Sequence, residues 1–396
     1  MKFERVGKHA KLIRGITFKP DDKCSPDAED AVVCMRTKNV QADLDTSDLI
    51  AVPNELIRNR EKILLSGDAL VSSANSWNLV GKCCSVPDLD YEATAGGFIS
   101  ILRVTSKALD SRYLYHWFSS DIVQNTVRSF ANKTTNISNL DHNRTLDLKI
   151  PLPSIVEQQR IAGILDQADA IRRKRQQALQ LTDDFLRATF LDLFGDPVTN
   201  PKGWEVKPLV DEAEVITGYA FPSSEYIEAG EGIPLCRGIN VGVGRFNWKD
   251  RSDWELPLDP SLTKFQLKTD DIILAMDRPW IKEGLKITKV CEHQEKSLLV
   301  QRVARIRATS PARQNLIYFL LNHPVFERHC NPTETTIPHI SPVELKEFPV
   351  IHPPKELVEQ FQKLVQAVDQ KVIKLQTGKE NDLFASLQQR AFKGEL

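Results

Sequence analysis

The residues of this chain best equipped for chemistry sit in polar loops, and their types suit nucleic acid better than bond breaking. In a first block they are Arg36, Lys38 and Asn39, then Asn75, Ser76, Asn78 and Lys82, then Lys133, Thr134, Thr135 and Asn136, followed by His142 and Arg144. In a second block they are Arg237 and Asn240, then Arg278, Lys282 and Lys286, then Thr335, Thr336 and His339. Arginine suits a guanine edge and asparagine an adenine edge, while lysine, threonine and serine hold phosphate. For any single loop, plain solvation is the simpler reading. Recurrence at matched places in two blocks argues for a shared task.

Catalytic signatures are missing or incomplete. There is no G-x-x-x-x-G-K-[ST] loop, no H-E-x-x-H, no paired Cys/His spacing and no G-x-S-x-G elbow. Glu344-Leu-Lys346 has the E-x-K form of part of a nuclease site, and solvated charges beside a strand are its simpler reading. Asp277-Arg-Pro-Trp280 is near the D-P-P-W pattern with which amino-methyltransferases hold a flipped base, but arginine replaces the first proline and no glycine-rich cofactor loop accompanies it. It reads as a DNA-contacting loop or as a proline-stiffened turn after Ile272–Ala275. The run Arg172-Arg-Lys-Arg175 suits either phosphate contact or a solvated helix face. Seven scattered cysteines form no C-x-x-C pair and read as reduced thiols. A net charge of −1 confines any nucleic-acid surface to local patches. No signal-peptide core and no apolar run of about 18 residues is present, so a cytoplasmic protein is expected.

The elements that must position these loops occur twice. Ile150-Pro-Leu-Pro153, a spacer and Glu157-Gln158 lead into a run from Ser154 to Phe194 with no proline. Val350-Ile-His-Pro-Pro354, a spacer and Glu359-Gln360 lead into a second run from Lys355 to Phe392. In the first run Ile161, Ile164, Leu165, Ala168, Ile171, Ala178, Leu181, Phe185, Leu186, Phe190 and Leu193 recur at spacings of three and four. That predicts an amphipathic helix about 60 Å long, capped by Ser154 with Glu157 and stopped at Gly195-Asp-Pro197. The second run predicts an equally long helix, and so long a stripe calls for an equally long partner. The expected antiparallel seam joins Ile161, Leu165, Ala168, Leu179 and Leu186 to Phe361, Val365, Val368, Val372 and Leu375. The alternative is that each helix packs on its own block.

The blocks read as mixed α/β and rich in strand. Strands are predicted at Ala31–Met35, Ala69–Val71, Phe98–Val104, Ile272–Ala275 and Leu298–Ile306, with one helix per block at Ser111–Phe130 and Asn315–His329. Further matches are Arg36-x-x-Asn39-Val40 with Arg237-x-x-Asn240-Val241, Leu64-x-x-x-Asp68 with Leu267-x-x-x-Asp271, Gly81-Lys82 with Gly284-Leu-Lys286, and Ile137-x-x-Leu140 with Ile337-x-x-Ile340. The expected fold class is α/β (α+β), a pseudo-two-fold repeat in which two mixed domains, 1–153 and 197–353, are separated by two long antiparallel coiled-coil helices, 154–196 and 354–396.

Taken in order, Ile150-Pro-Leu-Pro-Ser-Ile-Val-Glu-Gln-Gln-Arg-Ile161, Thr189-Phe-Leu-Asp-Leu-Phe-Gly-Asp-Pro197 running into Asn200-Pro-Lys-Gly-Trp204, and Leu387-Gln-Gln-Arg-Ala-Phe-Lys-Gly-Glu-Leu396 resemble the DNA-specificity (S) subunits of Type I restriction–modification systems. Gly15-Ile-Thr-Phe18, Gly218-Tyr-Ala-Phe221 and the Arg278-Pro279 loop resemble family patterns too. The resemblance implies two target-recognition domains, each reading half of a bipartite, asymmetric double-stranded DNA target. It implies a helical spacer that docks two modification (methyltransferase) subunits, with ATP-dependent restriction subunits joining them. It implies no cofactor on this chain, since S-adenosylmethionine, ATP and Mg belong to the partners that methylate adenine N6 and cleave DNA. Two other classes are a fused nuclease or methyltransferase, which needs a metal or cofactor, and a coiled-coil scaffold indifferent to Arg36, Asn39, Arg237 and Asn240.

Overall fold

Ala69–Ser72 and Ile99–Val104 are short apolar runs suited to a buried pleated surface, and they pair antiparallel. With Ala10–Arg14 on one side and Cys83–Ser85 on the other they form a four-stranded sheet. A second sheet places Ala31–Met35 between Ala51–Pro53, antiparallel to it, and Ala93–Ala95, parallel to it. The ribbon of Phe3–Arg5 with Lys149–Pro151 ties the start of this lobe to its end. The computed structural model describes residues 2–133, 137–330, 339–376 and 380–396.

The second lobe repeats this plan. Its four-stranded sheet runs Ala213–Thr217, Val303–Ala308, Ile272–Ala275, Ile287–Lys289. Ile233–Cys236 lies between antiparallel Asp253–Trp254 and parallel Leu298–Leu299, and Glu205–Pro208 pairs with Pro349–His352. The repeat extends to a buried ion pair. Asp68 accepts the Leu65 N–H at 2.7 Å and Arg103 at 2.8 and 2.6 Å; Asp271 accepts the Lys268 N–H at 2.7 Å and Arg307 at 2.6 and 2.7 Å. A buried carboxylate needs such partners, which gives the repeated Leu-x-x-x-Asp its physical reason.

The helices among the described residues are α1 (Ser111–Phe118), α2 (Asp121–Phe130), α3 (His142–Leu146), α4 (Ile155–Phe194), α5 (Leu209–Glu212), α6 (Gln314–Leu321), α7 (Pro324–Cys330), α8 (Pro342–Glu347), α9 (Lys355–Gln376) and α10 (Glu380–Lys393). Three expectations are corrected. Ser111–Phe130 is two helices, because Ser120 is extended. The helix expected over Asn315–His329 breaks before Pro324, which has no N–H to continue the ladder. Leu298–Ile306 is two strands in different sheets, separated where Arg302 turns to φ +67°. The second long helix is described as α9 and α10, on either side of 377–379.

The chain divides into two compact units: Met1–Gln176 with Gly378–Leu396, and Gln177–Thr377. This cuts across the four segments expected, because helix and lobe share a core. In the first unit Ile161, Ala162 and Leu165 of α4 are buried with Tyr113 and Leu114 of α1 and Ala391 of α10. In the second, Leu186, Phe190 and Phe194 of α4 are buried with Leu316 and Leu320 of α6 and Val358, Phe361 and Val365 of α9. Gln158, Ile161 and Leu165 therefore have counterparts exactly 200 positions on, in Val358, Phe361 and Val365. The Glu-Gln pairs are offset by 202, yet the buried helix register is not.

Each unit also holds its helix segments antiparallel. In the second unit Phe361, early in α9, meets Phe194 and Phe190, late in α4, at ring distances of 5.4 and 5.9 Å. In the first, Arg172 of α4 lies 5.6 Å from the Phe384 ring of α10, and Arg160, nearer the start of α4, donates to the Leu396 carbonyl at 3.0 Å. Of the expected seam, Ile161, Leu165, Leu186, Phe361 and Val365 are buried, while Ala168, Leu179, Val368 and Val372 are half-buried; the Leu375 side chain lies outside the described ones. Ile171, Leu181 and Phe185 are exposed, so the stripe is not one continuous buried seam. No described helix is long and apolar enough to cross a membrane.

Phe361 also meets Phe319 at 5.1 Å. Phe361→Ala should cost about 3–5 kcal/mol, read as a lower denaturant midpoint; a change under about 1 kcal/mol would deny the helix its place in that core. Acid should loosen the first unit. Burial pushes the His116 ring below the usual histidine range although it bonds Asp166 at 2.8 Å. Burial would raise the Asp166 carboxyl, but Arg112 and His116 together outweigh it and hold it low. Both groups are depressed by folding, so their stabilisation is present above the unfolded values and lost as pH falls from those values through the lower folded ones. The melting temperature should therefore drop below about pH 6.5, and His116→Gln should flatten the first part of that drop.

Candidate nucleic-acid interface

The repeated Arg-x-x-Asn is a clamp that builds two loops. The Asn39 Oδ1 accepts the Arg36 N–H at 2.8 Å, and its Nδ2 donates to the carbonyls of Asp45 at 2.7 Å and Asp48 at 3.1 Å. The Asn240 Oδ1 accepts the Arg237 N–H at 3.1 Å, and its Nδ2 donates to Asn247 at 3.0 Å and Asp250 at 3.2 Å. Arg36 donates to the Asp48 carbonyl at 2.9 Å and Arg237 to that of Asp250. Both asparagines are at most 1% exposed. This corrects their assignment as base readers: a buried amide with its bonds spent inside the fold cannot reach a base edge. Arg36 and Arg237 are half-buried and partly spent in the same way.

In the first unit the clamp loop meets the turn that follows Ala69–Ser72. Lys82 donates to Gln41 at 2.5 Å, and Lys38, exposed, is ion-paired with Asp48. Ser76 and Asn78 are exposed on that turn, and Asn75, half-buried, stands in a small strand paired with Ser138–Asn139. Burial, with Arg14 beside it, pushes the His142 ring below the usual histidine range, and the ring bonds Ser100 at 2.9 Å. His142 is therefore no phosphate-holding cation near neutral pH. Arg144 is exposed and stacks over the Phe130 ring at 4.0 Å. Lys133 lies in the strand Asn132–Lys133, its side chain outside the described ones. Thr134, Thr135 and Asn136, like Thr335 and Thr336, lie outside the described residues.

In the second unit the residues after Ile272–Ala275 converge. Arg278 is exposed at φ +45°. Lys282 is exposed at the tip of the hairpin Trp280–Ile281 with Gly284–Leu285. Asp277 pairs with His339, and the Lys286 Nζ lies 3.4 Å from the Asp277 carbonyl. Burial lowers the pKa of Lys286 against the pull of Asp277. The registers match across the repeat: the Ser72 N–H donates to the Lys82 carbonyl at 2.8 Å, and the Ala275 N–H to the Lys286 carbonyl at 3.0 Å.

Two motifs resolve into local structure. Glu344 completes a capping box with Ser341 at the start of α8, so Glu344-Leu-Lys346 is a helix start. Arg172 and Arg173 pair with Asp169, and Arg173 also with Asp43, so part of that basic run is neutralised. Sequence reading missed Gln41, Phe98 and Arg302, all exposed in these loops. Phe98 and Arg302 lie within runs whose residue pattern predicts strand; only the turn geometry brings them out.

Residues 29–181 match the model of the Type I restriction modification DNA specificity domain. Over nearly its whole length the chain is similar to a specificity subunit of a Type I restriction enzyme. It is 26% identical to the EcoKI specificity subunit of Escherichia coli (strain K12), an alignment covering 97% of this chain and 87% of that protein. It is 26% identical to the MjaVIII specificity subunit of Methanocaldococcus jannaschii, covering 80% and 74%. The fold is that of the Type I restriction-modification S subunit from M. genitalium, with a TM-score of 0.61 at 16% identity over 99% of this chain and 96% of that one.

Asn240→Ala leaves the Asn247 carbonyl and the Arg237 N–H without their partner, and the Asp250 carbonyl with Arg237 alone. It should cost about 1–3 kcal/mol and open the 237–250 loop to protease. Unchanged stability with lost DNA binding would instead return Asn240 to the base readers.

Proposed function

We propose that this chain is the DNA-specificity subunit of a Type I restriction–modification assembly. Each unit reads one half of a bipartite, asymmetric duplex target. The observation that carries this reading is the duplicated fold: two lobes share strand order, buried ion pair and clamp, and differ in the side chains of their exposed turns. Shared framework with different surfaces suits two related recognition tasks on one ligand.

Catalysis belongs to partner subunits. Two modification subunits dock on the chain and carry S-adenosylmethionine to adenine N6. Restriction subunits add ATP- and Mg-dependent translocation and cleavage. This chain binds neither cofactor and works in the cytoplasm. The half-buried and exposed lysines and arginines of the turns contribute phosphate and base contacts, while a net charge of −1 leaves the partners a share of the phosphates.

The chain alone should bind its target weakly, with affinity falling linearly in log salt, and addition of the modification subunit should tighten binding at matched salt. Gel shift measures both. Equal affinity with and without the modification subunit sinks the assembly reading, and no salt-dependent binding in either case sinks the DNA reading.

A further inference from the structure

Two turns, one in each unit, hold the same place in the repeat and carry opposite chemistry. The Ser73 N–H donates to the Phe98 carbonyl at 2.8 Å, and the Leu140 N–H to the Ser73 carbonyl at 2.8 Å. The Met276 N–H donates to the Arg302 carbonyl at 2.9 Å, and the Ile340 N–H to the Met276 carbonyl at 2.8 Å. The next residues agree: Ala74 pairs with Asn139, and Asp277 with His339. Phe98 is therefore the structural counterpart of Arg302, and Asn75 that of Arg278.

Both turn residues point outward. Phe98 is 63% exposed and the Arg302 side chain 67%. The backbone that Phe98 holds, at Ser73 and Ala74, leads into a turn that exposes Trp77 and Leu79, and Ile137, beside the strand paired with Asn75, is exposed as well. Clustered exposed apolar side chains mark a contact surface. Arg302 and Arg278 are both held at positive φ, +67° and +45°, a backbone that arginine adopts only when its surroundings enforce it. The ion pair of Arg302 with Asp277 is long, 3.7 Å, and exposed on both sides. Such a pair is weak and leaves the guanidinium available. Asn75 donates to Ser72 at 3.1 Å and accepts from Ser76 at 2.8 Å, which leaves one N–H and one lone pair of its amide unspent.

We infer that this turn sets base preference in each unit. Arg302, with Arg278, selects a G·C pair by forked contact with guanine. Phe98, with Asn75, selects an A·T pair, the ring packing on the thymine methyl and the amide meeting adenine. The inference rests on the DNA-reading function above and adds which pair each unit reads, and with which residues.

The test is selection of randomised duplexes by the full chain in complex with its modification subunit, followed by sequencing of what is retained. Wild type should enrich a bipartite motif. Arg302→Ala should lower the preference for one G·C pair about tenfold or more, in one half only. Arg302→Lys keeps the charge and should lose the same preference, because lysine lacks the fork. Phe98→Ala should lose preference for an A·T pair in the other half. Uracil in place of thymine there should weaken wild type and leave Phe98→Ala unaffected. If Arg302→Ala weakens every sequence alike and reduces the salt dependence, Arg302 is a phosphate anchor and the inference fails. It fails equally if both variants act on the same half, or if neither changes preference. A wild-type chain that enriches no motif sinks the DNA-reading function itself, a different outcome.

Discussion

Each lobe is a mixed α/β layer that leaves one apolar face uncovered, and only a segment of long helix covers it. Gln158, Ile161 and Leu165 close the first core, and Val358, Phe361 and Val365 close the second. Burying one such aliphatic or aromatic side chain is worth about 1.5–3 kcal/mol, so the two in the first core and the three in the second match a large part of a domain's net stability. Lobe and helix therefore had to be repeated together. The same constraint explains why α4 is apolar toward its two ends and more polar between them: its early turns serve one core and its last turns the other.

Inside that frame the two units share two buried polar constructions and differ in their exposed turns. The Asp–Arg pairs and the asparagine clamps are the same in both. Removing one partner would orphan a buried donor or acceptor at a cost of about 1–3 kcal/mol. The turns after Ala69–Ser72 and Ile272–Ala275 carry no such penalty. Surface changes are typically within about 0.5 kcal/mol, so phenylalanine can stand where the other unit has arginine without touching the core. A recognition surface of this kind can change its target while its scaffold stays put.

The long helices, the duplication, the strands at Ala31–Met35, Ala69–Val71 and Ile272–Ala275, and the likeness to Type I specificity subunits were legible from residue order alone. These are local or repeated signals: period, cap, proline stop and matched motif report on a few neighbouring residues at a time. The sequence also marked Arg-x-x-Asn and Leu-x-x-x-Asp as important. What it could not show was the reason, because an asparagine that ties its own loop and one that reads a base have the same letter. Only burial and the hydrogen-bond partners of Asn39 and Asn240 separate the two. Tertiary structure likewise decided that Ile171, Leu181 and Phe185 stay exposed, since a stripe's period does not say how far a neighbour extends along it. It also decided that Phe98 and Arg302 leave their strands to meet solvent: the turn at each is fixed by partners 25 or more positions away in sequence, Ser73 for one and Met276 for the other.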